Sequence, residues 1–375
     1  MDSVDVCIIG GGMAGASVAF HLAPRASVVL LEREPHVGYH STGRSAAMYS
    51  PQYGSAVIRR LTETAGAFLR APPAGFAAAP LLTARGFLTI GSAAQRPALE
   101  RHEAVARASG QNATRLTAHE AREIVPSLRP GATDWALLDP TAQDLDVDAL
   151  LQGFLRGARA RGARVLTARE VTVLERHGAG WRVAGADFDL RTRIIVNAAG
   201  AWADAVAGHA GIAPLGLVPH RRTAFIFDGP AQVQVAHWPM VSDADELFYF
   251  KPEAGRLLGS LAEEVPAPPS DAQPDELDVA VAVDRIEQVV DFPVRRVLRA
   301  WTGLRVFGRD REPVSGFEPQ VPGFYWHAAI GGYGIQTAPA LGAFAAAMIL
   351  EHRPPAALTD CGIAPAQLAP ERLRR

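Results

Sequence analysis

The chain has 375 residues, room for about two domains at roughly 150 residues each. Its 37 basic and 39 acidic residues leave a formal charge of −2, which excludes a field that would draw in nucleic acid or an anionic bilayer; a charged ligand has to be met by local groups. Lys251 is the single lysine, so nearly every side-chain cation is an arginine, whose planar fork suits bidentate carboxylate binding. With 48% hydrophobic and 20% charged residues the composition is that of an ordinary globular chain. No signal peptide is expected, because no cationic stretch opens the sequence. The apolar run Ala340 to Leu350 falls short of the ~20 residues that span a bilayer. Cys7 and Cys361 can build neither a disulfide framework nor a zinc cluster, no metal is expected, and a reducing cytoplasm is the expected location.

Val4 to Ile9 is a β-prone apolar run leading into Gly10-Gly11-Gly12-Met13-Ala14-Gly15 and then a helical stretch, Ala16 to Leu22. This is G-x-G-x-x-G between a strand and a helix. Gly10 permits the tight turn, Gly12 lets a pyrophosphate approach the backbone, and Gly15 lets helix and strand pack closely. The next strand, Ser27 to Leu31, ends at Glu32, near the ~20-residue spacing at which an acid accepts from ribose hydroxyls. An acid there favours NAD or FAD over NADP. The following segment, Gly38-Tyr39-His40-Ser41-Thr42-Gly43-Arg44-Ser45-Ala46-Ala47, is dense in small and hydroxyl residues, which suits a backbone running under a pyrophosphate and along a flavin.

From this point the sequence resembles the D-amino-acid oxidase/dehydrogenase superfamily of FAD enzymes along nearly its whole length, and within it the bacterial D-arginine dehydrogenases, in residues 38–47, in Tyr53-Gly54 and in later stretches. The resemblance implies an α/β fold: a Rossmann-type FAD-binding domain with an interleaved substrate domain built on a mostly antiparallel sheet. The FAD part is expected at 1–50, 145–218 and 310–375, and the substrate part at 51–144 and 219–309.

Residues 51–129 read as helical (Val57 to Leu69, Pro97 to Ala108, Ala118 to Val125), with one strand-like piece at Gly86 to Ile90. Asp148 to Arg161 is an amphipathic helix before a strand at Ala163 to Ala168. Val171 to Glu175 and Trp181 to Ala184 flank the hairpin signal His177-Gly178-Ala179-Gly180. No second dinucleotide fingerprint follows, which argues against a reductase with separate FAD and NAD(P)H domains. Ile194 to Trp202 is a buried strand ending in small residues before a helix. Arg222 to Phe227, Leu247 to Lys251 and Arg256 to Leu261 alternate as antiparallel strands, and the acidic, Pro-rich stretch Glu263 to Asp278 reads as a surface loop. Gly323 to Ala329 is a strand leading to a second glycine loop, Gly331-Gly332-Tyr333-Gly334-Ile335-Gln336, at the start of the helix Ala340 to Leu350, where helix-end N–H groups can meet negative charge.

The cofactor set implied by motif and resemblance is Gly10, Gly12, Met13, Ala14, Gly15, Glu32, Arg33, Ser41, Thr42, Gly43, Arg44, Ser45, Ala46, Ala47, Met48, Val171, Ala198, Gly200, Trp202, Gly331, Gly332, Tyr333, Gly334, Ile335 and Gln336. FAD is expected to be noncovalent, since no cysteine lies between Trp202 and His327; His40 is the one side chain near the flavin segment that leaves linkage open.

Oxidising an amino acid requires a cation for its carboxylate, an acceptor for its amine and an α-carbon aimed at the cofactor, which carries the hard step. The resemblance assigns the carboxylate to Arg222 and Arg305, supporting hydroxyls to Tyr53 and Tyr249, and the amine acceptor to the Gly332 carbonyl. Where D-arginine dehydrogenases hold the guanidinium with an acid this chain has Phe87, and where they have a pocket histidine it has Met48. The expectation is an uncharged pocket end and a D-amino-acid dehydrogenase preferring neutral or hydrophobic side chains, since an unpaired buried guanidinium would cost several kcal/mol. Its partners are the amino acid and an electron acceptor, a quinone or another, with O2 open. A sarcosine, glycine or proline type of secondary-amine oxidase, an NAD-dependent dehydrogenase and a noncatalytic FAD-binding subunit remain alternatives.

Overall fold

The computed structural model describes residues 2–108 and 113–374. The apolar run at the N-terminus is the strand Asp2–Ile9, parallel to Val28–Leu31 on one side and to Phe188–Asn197 on the other. Arg164–Leu166 extends this sheet in parallel beyond Val28–Leu31. At the far edge the end of Phe188–Asn197 pairs in parallel with Phe324–Ala328, which carries Val314–Phe317 antiparallel. The hairpin Val173–His177 with Gly180–Gly185 takes the first half of Phe188–Asn197. Strands buried on both faces need continuous apolar runs, and Val28–Leu31 and Phe324–Ala328 are buried at every position.

The helix Met13–Leu22 is buried on nearly all sides, and the Ser17 hydroxyl donates to the Ala338 carbonyl of the C-terminal helix at 2.6 Å. That helix runs Gly334–Glu351, beginning six residues before the expected start. Its 18 residues are long and apolar enough to cross a membrane, and 67% of them are buried within the fold, as in the core helix of a globular protein. It therefore exceeds the apolar run read from the sequence, because Ile335 to Pro339 are buried with it.

A second, mostly antiparallel sheet runs in the order Val265–Pro266, Val218–Phe227, Arg256–Ser260, Tyr249–Glu253, Met240–Asp243, Phe87–Gly91, Trp135–Asp139 and Thr114–Thr117, with Val297–Phe307 also paired to Val218–Phe227. Met240–Asp243 and Phe87–Gly91 form its parallel pair. Met48–Tyr49, Gln143–Leu145 and Leu82–Ala84 make a small third sheet.

Two expectations are corrected here. The stretch read as helical with one strand does hold helices at Ala56–Arg70, Arg96–Ala108 and Ala118–Ile124, but also the strands Leu82–Ala84 and Thr114–Thr117. Thr114–Thr117 is an exposed polar edge with no apolar alternation to announce it. The stretch Glu263 to Asp278 is more than a surface loop. It contributes the strand Val265–Pro266, buries Ala272 and starts the helix Glu276–Val289.

Candidate active site

The first groove opens at the glycine turn. Gly10 has φ +112°, and a Cβ there would lie 2.4 Å from the Ala198 carbonyl oxygen, so only glycine lets the two parallel strand ends approach. Gly15 serves packing, since a Cβ would fall 2.0 Å from the Gly10 oxygen. Glu32 is 9% exposed; one carboxylate oxygen accepts from the Gly11 N–H at 2.7 Å and the other from the Glu34 N–H at 2.9 Å. A carboxylate oxygen accepts more than one hydrogen bond, so this fixed carboxylate retains capacity for ribose hydroxyls.

The N-termini of Met13–Leu22 and Gly334–Glu351 both lack a side-chain cap, and Gly12, Met13, Gly331, Gly332 and Gly334 all line the groove. Two helix starts without a cap from their own N-cap residue, a glycine cradle and an anchored acid together fit a dinucleotide with a negatively charged centre. Ala14, Arg33, Ser41, Thr42, Arg44, Ser45, Ala46, Val171, Ala198, Gly200, Trp202 and Ile335 line it too, as does His327.

The hydroxyl-rich segment lines the groove and is also tied to the strand beside it. Ser41 donates to the Leu304 carbonyl at 2.6 Å, Arg44 donates to the carbonyls of Thr302 and Ala272 and pairs with Asp271, and the Trp301 indole donates to the Arg44 carbonyl at 3.0 Å. These bonds lace residues 41–45 onto the strand Val297–Phe307 and under the 263–278 stretch. The Thr42 hydroxyl accepts from the Met13 N–H at 3.0 Å, which leaves its own proton to donate into the groove. Gly43 does not line the groove; its N–H donates to the Gly38 carbonyl and closes the turn. Arg33 stacks 3.8 Å over Trp202 and bonds Glu34, which also meets His40 at 2.9 Å. His40 thus lies in the groove lining beside Glu34 and Trp202.

A second cavity meets the first at Ser45, Ala46, Arg222, Tyr249, Arg305, Gly332 and Ile335, which line both. Strand register explains why the two arginines converge. Arg222 lies opposite Gly303 and His220 opposite Arg305 in the antiparallel pair, and paired residues share a face. The Arg305 guanidinium rests on Gly332, where a Cβ would fall 2.9 Å from Cζ. Desolvation works against its charge, yet the hydroxyls of Tyr53 and Tyr249 and the Glu264 carboxylate outweigh burial and hold it more firmly protonated than usual. Tyr333 lines neither cavity. Its ring packs 5.0 Å from Tyr53, and burial raises its hydroxyl well above the ordinary tyrosine range.

Arg222 is already engaged. Its Nε donates to the Glu263 carbonyl at 2.8 Å and its terminal nitrogen meets Glu264 at 3.3 Å, so Arg305 is the better placed of the two for an incoming carboxylate. The Glu263 carboxyl accepts from the Thr223 N–H and is pushed up by burial.

Ala47, Met48, Phe87 and Gln336 line the second cavity and not the first groove, Met48 and Phe87 as expected of pocket residues. The expectation of an uncharged pocket end does not hold: Asp139, Asp243 and Glu246 line the same cavity, together with Thr89 and Ser242. Phe87 and Asp139 are directly paired across antiparallel strands, so an acid stands beside the phenylalanine although 52 positions later in the chain. The apolar run Trp135 to Leu138 closed by Asp139-Pro140 carries the strand signal that would have found it.

The family model for FAD-dependent oxidoreductases (DAO) matches residues 5–348. The chain belongs to the FAD-dependent oxidoreductase family. This FAD-dependent oxidoreductase is 26% identical over 330 residues to glycerol-3-phosphate dehydrogenase 1 of Mycobacterium tuberculosis, covering 81% of the chain but only 63% of that relative's length. Among solved structures it is similar to L-proline dehydrogenase from P. horikoshii, with a TM-score of 0.82 at 23% identity over 100% of this chain and 98% of that one. It is also similar to glycine oxidase from Geobacillus kaustophilus, with a TM-score of 0.83 at 23% identity over 95% and 96%. At these identities the structures speak for the fold, and the glycine cradle and Glu32 are the part of the site that fits the FAD of this family.

Proposed function

We propose that this oxidoreductase oxidises D-amino acids at the α-carbon, giving an imino acid that water converts to a 2-oxo acid and ammonia. The observation that carries the reading is the meeting of the two cavities at Arg305, Tyr249 and Gly332, beneath Tyr53. FAD, when bound, takes up the hydride of the α-carbon. The chain's own part is positional: Arg305 grips the carboxylate with its fork, the Tyr53 and Tyr249 hydroxyls fix the guanidinium, and the Gly332 carbonyl accepts a hydrogen bond from the amine. Among the described residues that line both cavities there is no carboxylate or histidine, and the amine has to be neutral before hydride leaves. The D-configuration rests on the likeness to D-arginine dehydrogenases at Tyr53, Arg222, Tyr249, Arg305 and Gly332. Asp139, Asp243 and Glu246 in the second cavity argue against a preference for neutral side chains. FAD is noncovalent in this reading, and acid precipitation should leave the yellow colour in the supernatant.

Arg305→Leu tests the assignment. It should lower kcat/KM for an amino acid on the order of 100-fold, while Arg222→Leu, whose partners are Glu263 and Glu264, should lower it about tenfold or less. The reverse order would remove Arg305 as the anchor.

A further inference from the structure

We infer that the His327 ring donates a hydrogen bond from Nε2 to bound FAD, and that Ser315 and Tyr325 fix the tautomer that lets it do so. The inference depends on the cofactor of the family and not on which substrate is oxidised.

His327 lies in the strand Phe324–Ala328, is 2% exposed and lines the FAD groove. Antiparallel register sets Ser315 directly opposite it, and Tyr325, two residues earlier, shares its face. The Ser315 hydroxyl lies 3.1 Å from His327 Nδ1 and 2.9 Å from the Tyr325 hydroxyl. Among the described residues no other side chain or backbone group bonds these two hydroxyls or the ring. Nε2 has no partner there either, yet it is not one of the polar atoms sealed in the interior, so it is the nitrogen that reaches the groove. Burial lowers the imidazole from 6.5 to about 4, which leaves the ring neutral with a proton on a single nitrogen. Two hydrogen bonds join the three groups, and each takes one proton. The hydroxyl protons fill both when Tyr325 donates to Ser315 and Ser315 donates to Nδ1. A proton on Nδ1 would be one too many, and a buried donor would be left without an acceptor, which is costly. The ring therefore carries its proton on Nε2, facing a cofactor whose phosphate, sugar and ring oxygens are acceptors.

Titration of FAD into apoprotein tests the contact. His327→Leu should raise the FAD dissociation constant about tenfold, the range of a single hydrogen bond, while His327→Gln, whose amide N–H can take the place of Nε2–H, should recover most of that loss. Equal loss in the two variants would make His327 a packing residue, and an unchanged constant in His327→Leu would remove it from the cofactor site. Long-range proton–nitrogen spectra of holoenzyme labelled with 15N-histidine read the tautomer, the His327 signal being the one absent from His327→Gln. A proton on Nε2 is expected; a proton on Nδ1 overturns the part given to Ser315 and Tyr325. A crystal structure of the holoenzyme needs no variant. It should place an oxygen or nitrogen of FAD within about 3.2 Å of His327 Nε2, and a cofactor out of reach of that nitrogen overturns the inference.

Discussion

At the scale of single residues, the site depends on a few positions where no other side chain serves. Gly10 is one, because its positive φ and the 2.4 Å approach of the Ala198 oxygen leave no room for a methyl group. Gly10→Ala should cost about 1–3 kcal/mol in backbone strain alone and yield protein largely without FAD, read from the flavin-to-protein absorbance ratio; full FAD content would refute the account of the turn. Glu32 is another. Its carboxylate is held by two backbone N–H groups, so Glu32→Gln should turn an amide N–H toward one of them and weaken FAD binding by about tenfold, measured by titrating FAD into apoprotein.

At the scale of elements, the 263–278 stretch is the part whose role changed most between sequence and structure. Charge and proline suggested solvent; the fold instead packs it over residues 41–45 through Arg44 with Asp271 and the Ala272 carbonyl. Asp271→Ala should loosen that cover and raise the FAD dissociation constant about threefold to fivefold, as for a partly exposed ion pair, and an unchanged constant would assign the stretch no part in retention. The contrast shows what a sequence can disclose. The glycine turn, Glu32 and the strand-to-helix transitions at 194–202 and 323–334 are local, so spacing and periodicity reveal them. The junction of the cavities is not local. Arg222 and Arg305 share a face because Val218–Phe227 pairs with Val297–Phe307, and Asp139 stands beside Phe87 because Trp135–Asp139 pairs with Phe87–Gly91. Residue identities at 222 and 305 were recognisable by resemblance, while Asp139 had no counterpart to suggest it and required the register.

At the scale of the whole molecule, near-neutral net charge conceals internal titration. Burial lowers both His21 and His327 from 6.5 to about 4, so both are neutral in the folded protein at physiological pH. The unfolded chain binds protons at these histidines between pH 6.5 and 4 and the folded chain does not, so stability is present above about pH 6.5 and is lost as pH falls toward 4. Urea midpoints of the holoenzyme should decline across that window, and His21→Leu should flatten the decline; a flat profile in the unaltered protein would contradict the burial of these rings.

The central claim is that the meeting point of the two cavities oxidises a D-amino acid bound through its carboxylate. Anaerobic mixing of the purified yellow protein with D-, L- and N-methyl amino acids, proline, glycine and glycerol 3-phosphate, followed by flavin absorbance, tests it most directly. D-amino acids should bleach the flavin fastest, and Arg305→Leu should abolish the difference between them and the corresponding amines that lack a carboxylate. Bleaching by glycerol 3-phosphate alone, by L- or N-methyl amino acids ahead of the D-forms, or by none of the series would contradict it.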